Sequence, residues 1–223
     1  MSNSIIACSK NWFFSEPKSE KFKKINFIKI TNKKDFSLKK IKEIDPDYIF
    51  LPHWSYIVPP HIYENWKCIG FHTAPLPYGR GGSPIQNLIK NKIKNSPVCA
   101  FEVNNKIDSG PIYDSYKISL SGNCEDILKR ISKAVEKMIL NIIKNKPSPV
   151  MQRGRATYFK RRSPSDSLIG KNLKSKELYD HIRMLDSDEY PRAYMNYGKY
   201  KIEFSKAELK DSKVYAKVIF KRK

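Results

Sequence analysis

Short apolar runs and segments with helical spacing alternate along the first half of the chain. Residues 35–44 place apolar side chains at helical spacing, and Pro46 ends that segment. Residues 47–52 form a continuous apolar run, which is typical of a strand buried on both faces. Strands that alternate with helical segments predict an α/β fold, a parallel sheet with crossover helices. The predicted strands of this half are residues 5–7, 25–30, 47–52 and 68–71.

A long amphipathic stripe marks the end of this region. Apolar residues recur at helical spacing from 124 to 144, which predicts a helix, and Asn123 is suited to cap it. Pro147 and Pro149 follow the helix, so we place the end of the domain at residue 150. Two more strands are predicted at residues 98–103 and 112–120.

The last part of the chain differs in composition. Residues 150–170 are rich in Arg, Ser, Pro and Gly, which predicts a linker. A helix at 174–185 follows, then β-like runs at 199–204 and 213–220. This tail is too small to hold a core alone, so we expect it to pack on the first domain. The predicted division is a catalytic domain at 1–150, a linker at 151–170 and a small α+β subdomain at 171–223.

Size and composition predict a soluble globular protein. The chain has 223 residues, a mass of 26.0 kDa and a mean hydropathy of −0.59, and no apolar run approaches the length of a membrane span. The N-terminus has no basic region ahead of an apolar core, so we expect no signal peptide. The four cysteines form no CxxC pair, which favours buried free thiols and a cytoplasmic location.

The net charge of +21 has two explanations. The lysines are spread along the whole chain and interleaved with Ile and Asn, a composition that an AT-rich genome would produce with no functional cause. Alternatively, the charge forms a surface that attracts a phosphate-bearing substrate.

The most informative stretch begins at His72, directly after a predicted strand. In an open α/β sheet, ligands bind outside the carboxyl ends of the strands, so a reactive side chain would stand here. A Pro- and Gly-rich loop follows, and Ser83 and Pro84 are suited to open a helix as N-cap and first helical residue. We interpret His72 as a candidate catalytic residue.

A second polar turn, at Asp108-Ser109-Gly110-Pro111, follows 36 residues after the histidine (108 − 72). Alone it has the composition of an ordinary turn. Beside His72, the Asp108 carboxylate could hold the imidazole charged or take a proton through it. Asp108 is therefore the second candidate catalytic residue.

The loop Arg80-Gly81-Gly82-Ser83 offers backbone N–H groups and a helix N-terminus, which suit an anion. It is not a GxxxxGK[ST] phosphate loop, and no GxGxxG follows the first strand. Nucleotide hydrolysis and dinucleotide redox chemistry are therefore disfavoured.

An aromatic cluster, His53-Trp54-Ser55-Tyr56, follows the third predicted strand. It could line a pocket for a flat ring or a sugar, or its aromatic side chains could pack in the core. His61 and His181 are interpreted as surface or packing residues. No His, Cys or carboxylate residues show metal-ligand spacing, so no metal is predicted.

The region from Asp47 to Pro111 resembles the formyltransferases that use N10-formyltetrahydrofolate. That family carries a loop of the form Asn-x-His-x-Ser-Leu-Leu-Pro-x-x-Arg-Gly-x-x-Pro, followed by Asp-x-Gly. Residues 182–193 also resemble a C-terminal region that some members carry. The matching residues are His72, Leu76-Pro77, Arg80-Gly81, Ser83-Pro84-Ile85-Gln86 and Asp108-Ser109-Gly110.

The resemblance implies a Rossmann-like formyltransferase domain, with N10-formyltetrahydrofolate as formyl donor and His72 and Asp108 as catalytic residues. The implied reaction is acyl transfer to an unprotonated amine. The implied cofactor-binding residues are His53, Trp54, Ser55, Ile57 and Gly110. The implied substrate-binding residues are Arg80, Gly81, Gly82, Ser83 and Gln86.

One departure concerns the family's Asn, two residues before the histidine, where this chain has Gly70. In the family that Asn would help polarise the formyl carbonyl, and glycine has no side chain to do so. Either another donor fills in, or activity is reduced or lost. The candidate donors are His53, Ser55, Gln86 and Asn87.

The acceptor amine is the second open point. The short segment before His72, the small tail and the His-Trp-Ser stretch resemble sugar N-formyltransferases of nonulosonic acid pathways. We therefore expect a nucleotide-linked amino sugar as acceptor, its pyrophosphate attracted by the positive charge. The alternatives are methionyl-tRNA formylation, which the basic composition would support, and a non-catalytic folate- or nucleotide-binding protein. The C-terminal hairpin could also pair with a second copy, giving a homodimer.

Overall fold

Eleven strands and seven α-helices lie within residues 3–10, 12–15 and 18–223, the part of the chain that this computed structural model describes. The strands are β1 Ser4–Ala7, β2 Phe27–Ile30, β3 Tyr48–Leu51, β4 Cys68–His72, β5 Arg80–Gly81, β6 Asn95–Glu102, β7 Ile112–Ser119, β8 Tyr158–Phe159, β9 Ala193–Tyr197, β10 Tyr200–Lys210 and β11 Lys213–Arg222. The helices are α1 Trp12–Ser15, α2 Glu20–Lys23, α3 Leu38–Ile44, α4 Pro60–Tyr63, α5 Pro84–Lys90, α6 Cys124–Asn145 and α7 Ser175–Arg183, and Pro164–Ser167 form a 3₁₀ turn. Residues 1 and 2 of the predicted catalytic domain lie outside the described part.

Six strands form the main sheet, in the order β2-β1-β3-β4-β6-β7. β1 pairs parallel with β2 and β3, and β3 pairs parallel with β4. β6 pairs antiparallel with β4, since it starts at the edge of the sheet where β4 ends. The predicted α/β class with a mainly parallel sheet is confirmed, and β6, which runs opposite to β4, supplies the exception.

The centre of the sheet is buried on both faces, as the apolar run at 47–52 predicted. Every residue of β1 and β3 is buried. Ile5, Ile41 and Ile49 are fully buried in one core cluster, in which helices cover the strands. α3 ends at Ile44 and is followed by the C-cap residue Asp45, which has a φ of 42° and directly precedes the predicted stop at Pro46.

The long amphipathic helix is confirmed as α6. The Asn123 side chain accepts a hydrogen bond from the backbone N–H of Asp126 at 2.9 Å, which is the predicted cap. Ile127, Val135 and Ile139 of its apolar stripe are buried. In the described part of the chain, no helix has both the length and the apolar character needed to cross a membrane.

A three-stranded antiparallel sheet, ordered β11-β10-β9, forms the C-terminal part of the chain together with α7. The predicted helix and the two β-like runs are thereby confirmed, and the tail is α+β. β9 was missed, because four of its five residues are at least partly exposed and it has no apolar periodicity. β5 and β8, which pair with each other, have two residues each and leave no periodic signal.

The chain divides into two compact units, each built from separated segments. The first contains Met1–Gly81, Pro97–Ile118 and Arg130–Tyr158, and the second contains Gly82–Ser96, Ser119–Lys129 and Phe159–Lys223. The tail therefore shares its unit with segments from the middle of the chain. The predicted boundaries at 150 and 170 stay a prediction.

All four cysteines are buried free thiols, as expected from their spacing. Burial raises the pKa of Cys68 and of Cys124 to about 12, and that of Cys99 to about 11. These thiols therefore have the character of small apolar core residues.

The central strand generates a stability prediction. Ile49 is 0% exposed, so Ile49→Ala should lower the free energy of unfolding by about 2–5 kcal/mol. Ile107 is 68% exposed, and Ile107→Ala should change it by less than about 0.5 kcal/mol. Urea unfolding of both variants measures the difference, and equal losses would contradict the described core.

Candidate active site

His72 is the last residue of β4, near the middle of the main sheet, and its side chain is 7% exposed. Its Nε2 lies 2.7 Å from the carbonyl oxygen of Gly79, and its Nδ1 lies 3.4 Å from Asp108 Oδ2. The strand therefore presents the ring at the edge where open α/β sheets bind ligands. The structure brings the two predicted catalytic side chains together.

Asp108 lies in the turn between β6 and β7, with a φ of 49°. This left-handed conformation is one that Asp adopts more readily than most residues. Its Oδ2 accepts a hydrogen bond from the backbone N–H of Gly81 at 2.8 Å. One carboxylate oxygen thus contacts both the histidine ring and the glycine loop.

The two contacts of the His72 ring indicate which form of the ring could donate a hydrogen bond to a ligand. The Gly79 carbonyl can only accept a hydrogen bond, and the same holds for an ionised Asp108 carboxylate. Both contacts are satisfied together when each ring nitrogen carries a hydrogen. A ring in that form beside a carboxylate can donate to a developing negative charge.

Gly110 allows the Asp108 turn to close against β6. A Cβ at this position would lie 1.7 Å from the backbone oxygen of Glu102, so only glycine fits. The Glu102 N–H donates to the carbonyl of Pro111 at 2.8 Å, which joins the two strands at the turn. The predicted Asp-x-Gly pattern thus has a backbone reason, and a cofactor contact by Gly110 stays a prediction.

The Arg80 side chain is held by an amide that the sequence did not single out. Arg80 Nε and Nη2 donate to Gln152 Oε1 at 3.2 and 2.7 Å. Gln152 Nε2 donates to the carbonyl oxygens of Asp108 and Gly110 at 2.9 and 2.8 Å. Gln152 therefore connects Arg80 to the Asp108 turn.

Thr157 makes a second connection between residues 150–157 and the glycine loop. Its Oγ1 accepts from the N–H of Gly79 at 2.8 Å, and its carbonyl accepts from the N–H of Arg80 at 3.0 Å. Gln152 and Thr157 belong to no motif. Both residues lie in a segment whose composition is typical of a linker, so their contacts could not be predicted from the sequence.

Gly82 and Ser83 are described within the second unit. The Gly82 N–H donates to the carbonyl of Phe159 at 3.2 Å. Ser83 precedes α5 as predicted, but its hydroxyl accepts from the backbone N–H of Arg162 at 3.1 Å and makes no cap hydrogen bond. Ser83 at the N-cap and Pro84 at the first helical position are confirmed.

In the loop after β3 the aromatic cluster packs against the core, and its role in lining a pocket stays a prediction. The Trp54 ring packs 4.9 Å from Phe36 and 5.1 Å from Tyr56, centroid to centroid, against the core. Its Nε1 is nevertheless buried without a hydrogen-bond partner among the described residues. The Ser9 hydroxyl donates to the carbonyl of His53 at 2.9 Å, and the Ser55 N–H donates to that hydroxyl at 3.1 Å, which shapes the loop.

The other histidines have no place in this arrangement. His61 is exposed, and His181 Nε2 lies 3.2 Å from the carbonyl oxygen of Ser167, where burial lowers the pKa of the ring. Within the described ranges, no group of three or more His, Cys, Asp and Glu side chains is arranged to hold a metal ion.

Gly70 faces an aromatic ring across the sheet. Gly70 and Phe101 are register partners on β4 and β6, and a Cβ on Gly70 would lie 2.6 Å from Phe101 Cζ. Phe101 is itself buried beside Leu76 and Cys99. The space that a side chain at residue 70 would enter is therefore occupied by the Phe101 ring.

Two of the four candidate replacements for the family Asn have their amide hydrogens engaged. Gln86 is buried and its Nε2 donates to the carbonyl of Met184 at 3.2 Å. Asn87 Nδ2 donates to the carbonyl of Ser83 at 3.0 Å. His53 and Ser55 belong to the same unit as His72.

Two family models match the chain. A model described as formyl transferase matches residues 14–143, and one described as methionyl-tRNA formyltransferase, C-terminal domain, matches residues 164–221. The chain belongs to the formyl transferase family, so the resemblance inferred from the His72 motif and from residues 182–193 is confirmed. The Rossmann-like fold that it implied is confirmed with it.

Two methionyl-tRNA formyltransferases are similar to this chain over most of its length. Methionyl-tRNA formyltransferase from Clostridium thermocellum is 42% identical in sequence, and its solved structure matches with a TM-score of 0.95 over 100% of both chains. Methionyl-tRNA formyltransferase from Campylobacter jejuni subsp. doylei is 30% identical over 78% of this chain and 56% of that protein. The chain thus spans about half the length of the curated relatives it matches.

The expectation of a nucleotide-linked amino sugar as acceptor is wrong. A sugar N-formyltransferase from a Shewanella species has a TM-score of 0.64 at 16% identity, which shows the fold alone. The small tail suggested the sugar enzymes, yet residues 164–221 match the C-terminal domain model named for the tRNA enzyme. Tail length was a poor guide, since the tail forms its compact unit with residues 82–96 and 119–129.

The Gly70–Phe101 pair generates a prediction. Gly70→Ala should lower the free energy of unfolding by about 1–3 kcal/mol, because the new Cβ forces a buried ring to move. In the Phe101→Leu background the same change should cost less, with a coupling of about 0.5 kcal/mol or more. Gly170→Ala is the matched control, since its Cβ would meet only ordinary contacts at 3.7 Å or more. Additive effects at 70 and 101 would contradict the described contact.

Proposed function

We propose that this chain is a methionyl-tRNA formyltransferase, which moves a formyl group from N10-formyltetrahydrofolate to the amine of methionine on its tRNA. The match over the full length of the Clostridium thermocellum protein carries this proposal. The C-terminal domain model at residues 164–221 supports the same acceptor. His72 and Asp108 are the proposed catalytic residues.

The proposed reaction forms a bond between the methionine nitrogen and the formyl carbon, and breaks the bond from that carbon to N10 of the folate. The attacking amine is uncharged and loses one proton, which N10 finally receives. His72 would donate to the formyl oxygen as negative charge develops there, exchanging the Gly79 carbonyl for that oxygen. Asp108 would keep the ring protonated or accept the amine's proton.

The loop at 53–57 is the proposed folate contact. A buried indole N–H without a partner, beside a Tyr ring and next to a 91% exposed Ile57, suits a flat heteroaromatic ligand that offers an acceptor. HypX from Aquifex aeolicus, solved in complex with tetrahydrofolic acid, matches with a TM-score of 0.77 at 13% identity. At that identity the match supports the fold alone. The proposed folate contact therefore rests on the Trp54 indole N–H.

The C-terminal sheet is the proposed contact for tRNA. Tyr197, Tyr200 and Phe220 lie on one face of it by register, and Tyr197 and Phe220 are 68% and 58% exposed. Arg222 lies opposite Tyr200 on the same face, and residues 193–223 contain nine Lys or Arg against three Asp or Glu. Positive charge attracts phosphates, and exposed rings stack on unpaired bases, so this sheet complements RNA.

The proposed setting is the cytoplasm, where tRNA and free thiols both occur. The four buried cysteine thiols support a reducing compartment. The predicted homodimer stays a prediction.

The activity test uses N10-formyltetrahydrofolate with methionyl-tRNA, and UDP- or dTDP-linked amino sugars as competing acceptors. We expect turnover with the tRNA alone, and a loss of about 10²–10³ in kcat/KM for His72→Ala, since a donor to the developing oxyanion is removed. His61→Ala, at an exposed position, should retain activity. Folate binding without turnover on any acceptor would instead support an impaired homologue.

The role of the sheet predicts a salt dependence. Replacing Lys213, Lys217 and Arg222 by Ala should weaken tRNA binding at low salt and lower the slope of log Kobs against log salt by up to about 3. Replacing Lys39, Lys40 and Lys42 of α3 removes the same charge elsewhere and is the matched control. Equal effects of the two triple variants, measured by filter binding, would contradict a local contact.

A further inference from the structure

Residues 150–157 connect the two loops that carry the candidate site. Val150 exchanges backbone hydrogen bonds with Ile112 at 2.8 and 2.9 Å, directly after the Asp108 turn. At the other end, the Thr157 N–H donates to the carbonyl of Pro77 at 3.2 Å. Gln152 lies between these two anchors, so its backbone is held on both sides.

The Gln152 side chain uses both ends of its amide. The two N–H groups donate to the carbonyl oxygens of Asp108 and Gly110, and the oxygen accepts from two nitrogens of Arg80. Only a primary amide offers two donors and an acceptor at opposite sides. A glutamate here would turn a carboxylate oxygen toward two carbonyl oxygens, and a methionine would leave both unpaired.

Gln152 binds the carbonyl of Asp108 itself and the carbonyl of Gly110, two residues later in the same turn. Asp108 has a left-handed backbone, which needs support from its surroundings to persist. Its carboxylate oxygen must reach His72 Nδ1 at 3.4 Å and the Gly81 N–H at 2.8 Å at the same time. Fixing the backbone at Asp108 and directly after it limits where that oxygen can go.

From these contacts we infer that Gln152 is a positioning residue, which acts through the Asp108 turn to hold the carboxylate against His72 and Gly81. Gln152 itself touches neither ring nitrogen of His72 in these contacts. Its effect on catalysis is indirect. The inference rests on the proposed function only where kcat is measured. Small displacements of a catalytic group can lower a rate by up to about 10²-fold.

Two variants separate the two ends of the amide. Gln152→Glu retains an acceptor for Arg80 and loses the donors to the turn, whereas Gln152→Met loses both. We expect both variants to lower kcat by about 10-fold or more, with the KM for methionyl-tRNA changed by less than about 2-fold. Asn104→Ala is the matched control: its side chain accepts from Ser109 Oγ in the same loop, and the variant should keep wild-type kcat.

Hydrogen exchange of the Gly81 amide gives a readout that does not depend on activity. This N–H donates to Asp108 Oδ2, so its exchange rate reports the position of the carboxylate. We expect exchange at least about 10-fold faster in both Gln152 variants and unchanged in Asn104→Ala. The Ile49 amide, which donates to the Lys67 carbonyl at 2.9 Å in the buried sheet, should exchange at the wild-type rate in all three.

Three outcomes would overturn the inference. Unchanged Gly81 exchange would show that the carboxylate does not depend on Gln152, and equal acceleration of the Gly81 and Ile49 amides would indicate a global loss of stability. Full kcat in Gln152→Glu would show that the donors to the turn are not needed. If the wild-type chain formylates no methionyl-tRNA, the proposed function fails, while the exchange measurement still decides the role of Gln152.

Discussion

The Asp108 carboxylate oxygen is the contact on which the arrangement of the candidate site depends. It faces the His72 ring and accepts from the Gly81 N–H, so it joins the turn after β6 to the loop after β4. Those two segments leave the sheet at different ends of the β4–β6 pair, because the strands are antiparallel and β6 ends at Glu102, opposite Ile69. The contacts of the carboxylate therefore define a geometry that the strand register alone does not supply.

The same pair of strands explains the departure at Gly70. Gly70 and Phe101 are opposite each other in the β4–β6 register, and the ring covers the glycine. Gly70 and Phe101 thus form one cross-strand pair, in which the aromatic ring fills the space beside the glycine. An aromatic ring over a strand glycine restores packing that the glycine lacks. Residue 70 therefore contributes to the core here, and it has no side chain that could donate a hydrogen bond.

The match with methionyl-tRNA formyltransferase from Clostridium thermocellum corrects the most consequential inference from the sequence, that of a sugar acceptor. The tail looked too small to serve a tRNA enzyme, because its residues were counted alone. In the structure its α7 and antiparallel sheet share a unit with segments 82–96 and 119–129. The size of the compact unit that contains the tail depends on packing with segments distant in sequence. The length of the tail alone does not predict that size.

The sequence by itself determined the elements with a periodic signal and the residues with a motif. Continuous apolar runs identified β1, β3 and β4, helical spacing with an Asn cap identified α6, and the motif led to His72 and Asp108. The tertiary structure alone decided the antiparallel β6, the Phe101 ring over Gly70 and the contacts of Gln152 and Thr157. Periodicity and capping act within a few residues of chain, so they can be read locally. Contacts such as that of Gln152 with Asp108 join residues 44 apart in sequence, and they exist only once the strands between them have paired.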